Sequence, residues 1–381
     1  MDFLLSKEQQ LIQEMVRSFA EKEIEPFAEE NDRDSRFPIE TFQKMGELGL
    51  LGIPFPEEYG GSGSDTISYA IAVEEIGRAC GGTGLSFAAT ISLGASPIYY
   101  FGTEEQKQKY LVPMAQGKTL GAFGLTEPNA GSDAGGTQTR AVLEGDEYVI
   151  TGEKCWITNA QYSNTIIVTA YTSIDERGKK NICAFIVPTD SEGLTITDPY
   201  DKMGVRASNT TQIVLNEVRV PKENILGNPD KGFGQFLYTL DGGRISIAAL
   251  AVGIAQKAFD KALAYSKERK QFNQPLSSFQ AIQFKLADMA MGIELARNMV
   301  HKAAWLKDNG KPFTKEAAFA KLYASEIASK IANESLQIHG GYGYMKEYGI
   351  ERLVRDAKLL EIGEGTSEIQ RIVIARQLGC R

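Results

Sequence analysis

An α+β fold in three consecutive blocks is what this sequence predicts, and three observations predict it. Apolar residues recur at helical spacing up to about residue 120, short β-branched runs broken by turn signals fill 121–232, and long alanine-rich segments occupy the remainder. The expected organisation is an N-terminal α-helical domain over 1–120, a central β-domain over 121–232 built as a barrel or sandwich, and a C-terminal helical bundle over 233–381.

The first block opens on Ser6 and Gln9, spaced as a capping box. Leu11, Met15 and Phe19 follow, with Ile12 and Val16 beside them, as an apolar stripe at helical spacing. The stretch GIPFPEEYGGSGSD, 52–65, carries the prolines and glycines of an ordered loop, after which AIAVEEIGRA resumes helical periodicity. In the second block EYVITG, TIIVTAYT, NICAFIVP, LTITD and TQIVLNEVRVP read as strands, divided by turn signals such as EGDE and DERGKK. The third predicts antiparallel helices over 246–267, 278–308 and 315–338. A Rossmann-type dinucleotide fold would alternate strand and helix and place G-x-G-x-x-G after its first strand; neither pattern is present.

With 381 residues, 43% hydrophobic and 24% charged, the composition is that of an ordinary globular protein. A net charge of -8 gives no general attraction to nucleic acid or acidic lipid, so a phosphate-bearing ligand requires a local basic site. Four cysteines (Cys80, Cys155, Cys183, Cys380) are scattered without C-x-x-C spacing and accompanied only by His301 and His339. That argues against a metal centre or a disulfide framework and suits a reducing compartment. The opening MDFLLSKEQQ is acidic and then helical where a targeting peptide is basic, and no apolar run is expected to near the ~18 residues of a membrane span. The expectation is a cytoplasmic, bacterial-type protein, with a mature mitochondrial matrix form as the alternative.

Four segments offer chemistry. FGLTEPNAGSDAGG, 123–136, presents the hydroxyls of Thr126 and Ser132 among glycines that let backbone approach a planar polar ligand, although alone it would read as a connector. KCWITNA, 154–160, sets Trp156 and Thr158 on one face of a strand by simple alternation, an aromatic plane beside a hydroxyl; an isolated tryptophan is more often core. Arg269 and Gln280 flank a proline-containing loop, and Gly340 with Gly341 ends a helix. These suit phosphate contact and close backbone approach, against the plainer readings of a solvated charge and a glycine C-cap. Finally, LLEIGEGTSEIQRIVIARQLG, 359–379, places Glu364 between Gly363 and Gly365, ahead of Ser367 and Gln370 at capping-box spacing. Glu368 already complements the dipole of that last helix, which leaves Glu364 for another task.

Together these segments resemble the acyl-CoA dehydrogenase family over nearly the whole chain, most closely its short-chain, butyryl-CoA type across FGLTEPNAGSD, TLDGGRI and FKLADMA. The resemblance implies that the C-terminal block is a four-helix bundle and that the protein is a homotetramer with FAD extended between β-domain and bundle. It implies that Phe123, Gly124, Leu125, Thr126 and Ser132, with Trp156, Ile157 and Thr158, hold the isoalloxazine ring. Arg269, Gln280, Gln337, Ile338, His339, Gly340 and Gly341 would receive the pyrophosphate and adenosine, partly across a subunit interface, and Thr366, Ser367 and Glu368 would complete the site. For the acyl-CoA it implies Ser132, Asp241, Gly242, Gly243, Arg244 and Gly365. Glu364 falls where most members carry the base that removes the thioester α-proton while a β-hydride passes to the flavin, giving a trans-2-enoyl-CoA. Electrons would then pass to an electron-transferring flavoprotein. Some members carry the base immediately before the arginine of the L-D-x-x-R stretch, a position that is Gly243 here.

One departure bears on the substrate. Short-chain members usually have tyrosine where this chain has Gly363, so a wider pocket and a compact branched or alicyclic acyl group stand beside a linear short chain. No Lys or Arg lies between Arg78 and Lys107, where glutaryl-CoA members supply an arginine for the distal carboxylate, and a dicarboxylic acyl chain is not expected. The alternatives are an acyl-CoA oxidase on the same fold, an enoyl-CoA reductase in the physiological direction, and a non-catalytic relative serving as an assembly or binding protein.

Overall fold

The computed structural model describes residues 4–380; Met1 to Phe3, on which part of the leader reading falls, and Arg381 lie outside the described residues. Helix α1 (Lys7–Glu23) starts at the expected capping box, with Ser6 Oγ accepting from the Gln9 N–H at 3.2 Å and Gln9 Oε1 accepting from the Ser6 N–H at 2.9 Å. Its inward line runs through Ile12, Val16 and Phe19, while Leu11 and Met15 are exposed, which corrects the stripe by one step round the helix. Helices α2 (Ala28–Asp34), α3 (Ile39–Glu47), α4 (Thr66–Ala79), α5 (Gly81–Ala89), α6 (Ser96–Phe101) and the short α7 (Glu104–Gln106) and α8 (Val112–Ala115) complete the first block. The largely buried α4 carries Glu74 and Glu75 into the interior, where Arg297 meets the first at 2.8 Å and Arg17 the second at 2.6 Å. Buried carboxylates need such partners.

The β-block is one continuous hydrogen-bonded sheet of eight strands: β1 (Gly121–Gly124), β2 (Arg140–Glu144), β3 (Glu147–Thr158), β4 (Thr165–Ile174), β5 (Lys180–Pro188), β6 (Leu194–Ile196), β7 (Thr210–Pro221) and β8 (Ile225–Leu226). The order is β6-β7-β3-β2-β4-β5-β8, with β1 pairing parallel to β4 off that path. Ile150, Ile166, Val168, Phe185, Val187 and Ile213 centre its core, the β-branched alternation seen in the sequence. The β3–β7 register shifts between Lys154 and Ile157, where Trp156 takes φ +58°.

The third block holds α9 (Gly232–Glu268), the hairpin β9 (Lys270–Gln271) with β10 (Gln274–Pro275), α10 (Gln280–Asp308), α11 (Thr314–His339), α12 (Ile350–Leu360) and α13 (Ser367–Gln377). Helix α9 begins well before the predicted 246 because the glycines of TLDGGR hide its start; packing against α4 and α11 overrides their poor propensity. It also corrects the expectation of no span-length apolar run. An 18-residue window of α9 is apolar enough to cross a membrane, and 78% of that window is buried inside the protein, so it is a core helix.

Candidate active site

Between α12 and α13 the chain makes a turn in which two successive residues adopt left-handed backbone, Glu364 at φ +53° and Gly365 at φ +90°. Gly365 is required there, because an added Cβ would also lie 2.8 Å from Gln370 Nε2. Gly363 is not required: its φ is ordinary and an added Cβ would approach nothing closer than Leu359 O at 3.6 Å. The cap of α13 differs from the expected one. Thr366 is the N-cap, its Oγ1 accepting from the Ile369 N–H at 3.3 Å, and Ser367 Oγ is buried without a partner. The Gln370 amide is drawn back instead to the turn, donating to the carbonyls of Glu364 (3.2 Å) and Gly365 (3.0 Å). Lys321, fully buried on α11, donates to the same Gly365 carbonyl at 2.6 Å.

The Glu364 carboxylate rests on bare backbone of α9. A Cβ built at Gly243 would sit 2.1 Å from Glu364 Oε2, so this carboxylate fills the space that a side chain at 243 would need. Oε2 is shielded from solvent and has no hydrogen-bond partner among the described residues, although the residue as a whole is only partly buried. Burial pushes Glu364 up to about 7, with Lys321 and Arg244 pulling in the opposite direction. The Glu364 N–H has no acceptor among the described residues.

Along α9, Asp241 and Arg244 form an ion pair, and Asp241 Oδ2 accepts from Thr314 Oγ1 at 2.6 Å. Arg244 Nε is buried without a partner. Burial raises the Asp241 pKa from its ordinary value against the pull of Arg244. Gly242 turns toward Lys307 of α10, whose Nζ would be 3.4 Å from a Cβ there and lies 5.4 Å from the centre of the Tyr100 ring. Tertiary contact therefore brings to the Arg78–Lys107 stretch a cation that the local sequence does not supply. Ser132, the remaining expected substrate contact, is exposed in the loop after β1.

That loop is pinned from beneath by residues the sequence analysis did not single out. Lys154, fully buried on β3, donates to Glu127 Oε1 (2.7 Å), the Leu125 carbonyl (3.1 Å), Thr137 Oγ1 (3.1 Å) and Thr169 Oγ1 (3.2 Å). Glu127 also accepts from the N–H groups of Gln138 (2.6 Å) and Thr139 (3.0 Å). Burial alone would raise Glu127, but Lys154 and hydrogen bonds from Thr137 and Thr139 bring it down to about 2. A lysine opening the predicted strand KCWITNA was the available signal. Phe123 is buried, Gly124 backs onto the Lys154 stem, and Leu125 and Thr126 are partly exposed. The bulge at Trp156 breaks the alternation that was expected to align it with Thr158: the indole is 62% exposed and Thr158 half-buried. Ile157 is buried in the sheet core, which leaves only its backbone for a ligand.

A separate cleft of about 440 Å³ gathers five of the expected phosphate-side residues, Arg269, Ile338, His339, Gly340 and Gly341. Gly340 has φ +60°, and a Cβ at either glycine would meet nothing within 4 Å, so the space above them is open. Arg269 lies over the Tyr342 ring at 5.3 Å, and His339 stacks on Tyr265 with Nδ1 2.7 Å from the Ser335 carbonyl; burial pulls its pKa down. Gln280 and Gln337 are exposed on α10 and α11 and are not part of the lining. Thr366 and Ser367 sit at the start of α13 with Glu368 exposed in its first turn, beside Glu364 rather than in this cleft.

Three family models match the chain in succession: "Acyl-CoA dehydrogenase, N-terminal domain" over 6–118, "middle domain" over 122–218 and "C-terminal domain" over 230–379. Among curated relatives, a probable acyl-CoA dehydrogenase YngJ of Bacillus subtilis is 73% identical over 99% of this chain and 100% of its own length. A short-chain specific acyl-CoA dehydrogenase of Clostridium acetobutylicum is 52% identical over the same shares, and an acryloyl-CoA reductase (NADH) of Anaerotignum propionicum is 47% identical over 99% and 96%. The structure of butyryl-CoA dehydrogenase from Megasphaera elsdenii superposes with a TM-score of 0.97 at 47% identity, covering 99% of this chain and 100% of that one. A chain from work on the electron transferring flavoprotein of Acidaminococcus fermentans gives 0.96 at 49%, covering 99% of each. An acyl-CoA dehydrogenase complexed with FAD from Bacillus anthracis gives 0.92 at 36%, covering 98% and 67%.

Proposed function

The chain belongs to the acyl-CoA dehydrogenase family of FAD-dependent oxidoreductases, and we propose that it dehydrogenates a short or compact acyl-CoA at Cα–Cβ with Glu364 as the base. The observation that carries this reading is the Glu364 carboxylate: one oxygen shielded and without a partner, set against a glycine that leaves no room for a rival acid at 243. A desolvated carboxylate near pKa 7 suits proton abstraction at neutral pH far better than one near 4.5. The residues present fit FAD: an exposed indole beside a glycine-lined loop for a flat ring, and an arginine beside two open glycines for phosphate.

Phe123 to Thr126 and Ser132, with Trp156, Ile157 and Thr158, would hold the ring; Arg269, Gln280 and Gln337 to Gly341 the pyrophosphate and adenosine; Thr366 to Glu368 would close the site. Asp241 to Arg244, Ser132 and Gly365 would receive the acyl-CoA. Glu364 takes the α-proton onto its unpartnered oxygen, and its free N–H is a donor suited to the thioester carbonyl whose negative charge grows as that proton leaves. When bound, FAD supplies the acceptor for the hydride lost from Cβ. The same reading divides the chain into domains at 120/121 and 232/233, takes the working form as a cytoplasmic homotetramer, and takes an electron-transferring flavoprotein as acceptor, which the likeness to the Acidaminococcus chain supports. The acryloyl-CoA reductase relative favours one second reading, the same site run toward the saturated acyl-CoA.

Glu364→Gln tests the proposal. Flavin content and acyl-CoA binding should persist while flavin bleaching by substrate in stopped flow slows by at least ~10²- to 10⁴-fold. Bleaching at the wild-type rate would put the base elsewhere.

A further inference from the structure

We propose that Lys321 is a positioning residue for the base: its ammonium, with the Gln370 amide, clamps the Gly365 carbonyl and so fixes the left-handed turn that sets Glu364 against Gly243, while its charge favours the ionised carboxylate. The inference rests on the reading of Glu364 as base and concerns a fully buried residue to which that reading assigns no substrate or flavin contact.

The clamp is made of two fully buried donors from different helices. Lys321 Nζ on α11 and Gln370 Nε2 on α13 reach the Gly365 carbonyl at 2.6 and 3.0 Å, and Gln370 also holds the Glu364 carbonyl at 3.2 Å. A left-handed non-glycine residue such as Glu364 persists only where its surroundings over-determine it, and these bonds do so. A buried lysine is a costly way to hold one carbonyl, since an uncharged donor would serve. Its charge needs a reason.

The charged neighbours supply one. Arg244 of α9 also faces Glu364, but its guanidinium is already engaged by Asp241. Lys321 makes no ion pair within 4 Å among the described residues, and Glu364 is the carboxylate acting on it most strongly, followed by Glu361 at the end of α12 and Glu368 of α13. Glu361 is itself bound to Lys358 at 2.7 Å, and Tyr69 of α4 completes the ring of titratable groups around the base. Lys321 is thus the cation left to balance Glu364. Burial lowers Lys321 to about 8 and raises Glu364 to about 7, so both are charged together between those values. Below that window the base gains a proton, and above it the clamp loses its charge.

The test is the pH profile of single-turnover flavin reduction in the FAD-loaded wild type, Lys321→Met and Lys321→Gln. The wild type should lose rate below about 7 and again above about 8. Lys321→Met should move the acid limb upward by about one pH unit and lower the plateau about tenfold or more, with little change in the acyl-CoA concentration needed for half-saturation. Lys321→Gln, which keeps a donor without charge, should recover part of the plateau and none of the limb shift. An acid limb that stays at the wild-type position in both variants overturns the proposal, as does a wild-type profile flat to pH 10, a result that needs no variant to fold. Glu364→Gln run alongside separates the two claims: fast bleaching there sinks the base assignment, whereas a dead Glu364→Gln with an unmoved limb in Lys321→Met sinks the positioning role alone.

Discussion

Two loops in this molecule are each held by a completely buried lysine, and they differ in what the lysine meets. Under the β-domain loop, Lys154 meets the carboxylate of Glu127 and three further acceptors, and Glu127 takes backbone donors in return. Under the turn between α12 and α13, Lys321 meets a carbonyl, and the nearby Glu364 keeps an oxygen with no partner. Burial is shared; satisfaction is not. A buried charge whose bonds are complete holds structure, whereas a buried carboxylate left incomplete holds proton affinity in reserve for a substrate.

The comparison can be broken first at the satisfied loop. Lys154→Met strands the buried Glu127 charge, and removing one partner of such a pair typically costs ~3–5 kcal/mol. Urea unfolding should show that loss, with weaker flavin retention; a midpoint near wild type would mean that the loop is not held by this pair. Gly243→Ala attacks the other loop without touching stability. Alanine is the better helix former, but its Cβ would fall 2.1 Å from Glu364 Oε2 and must displace the carboxylate. Misplacement of about 1 Å can cost ~10²-fold in rate, so turnover should fall by about that factor while the melting temperature holds or rises. Unchanged turnover would show that the carboxylate need not rest there. The smallest effect is expected at Gly363, where the backbone admits a side chain. Gly363→Tyr should depress kcat/KM for isobutyryl- or cyclohexanecarbonyl-CoA relative to butyryl-CoA by ~1–2 kcal/mol, roughly tenfold. An equal loss on every substrate would assign Gly363 to the turn and not to acyl shape.

Much of this was legible because it is local. Periodicity marked the three blocks, and the glycines around Glu364 marked an unusual backbone. What sequence missed was made by contact between distant segments. Lys321, Lys154 and Lys307 sit in ordinary-looking runs, and only the fold brings them to Gly365, Glu127 and Tyr100. Local rules also failed where the backbone departs from regular geometry. Alternation failed at Trp156 because the strand bulges there, and the Ser367–Gln370 box failed because Gln370 serves the turn.

The central claim, that a Glu364 oxygen is kept dry and unpartnered, is tested most directly by the side chain's own titration in the protein without substrate. Difference infrared spectra across pH, with Glu364→Gln subtracted, isolate the C=O band of the protonated side chain. The account predicts that this band is half lost near pH 7. A midpoint at the ordinary value of 4.5 would mean a solvated carboxylate and would contradict it.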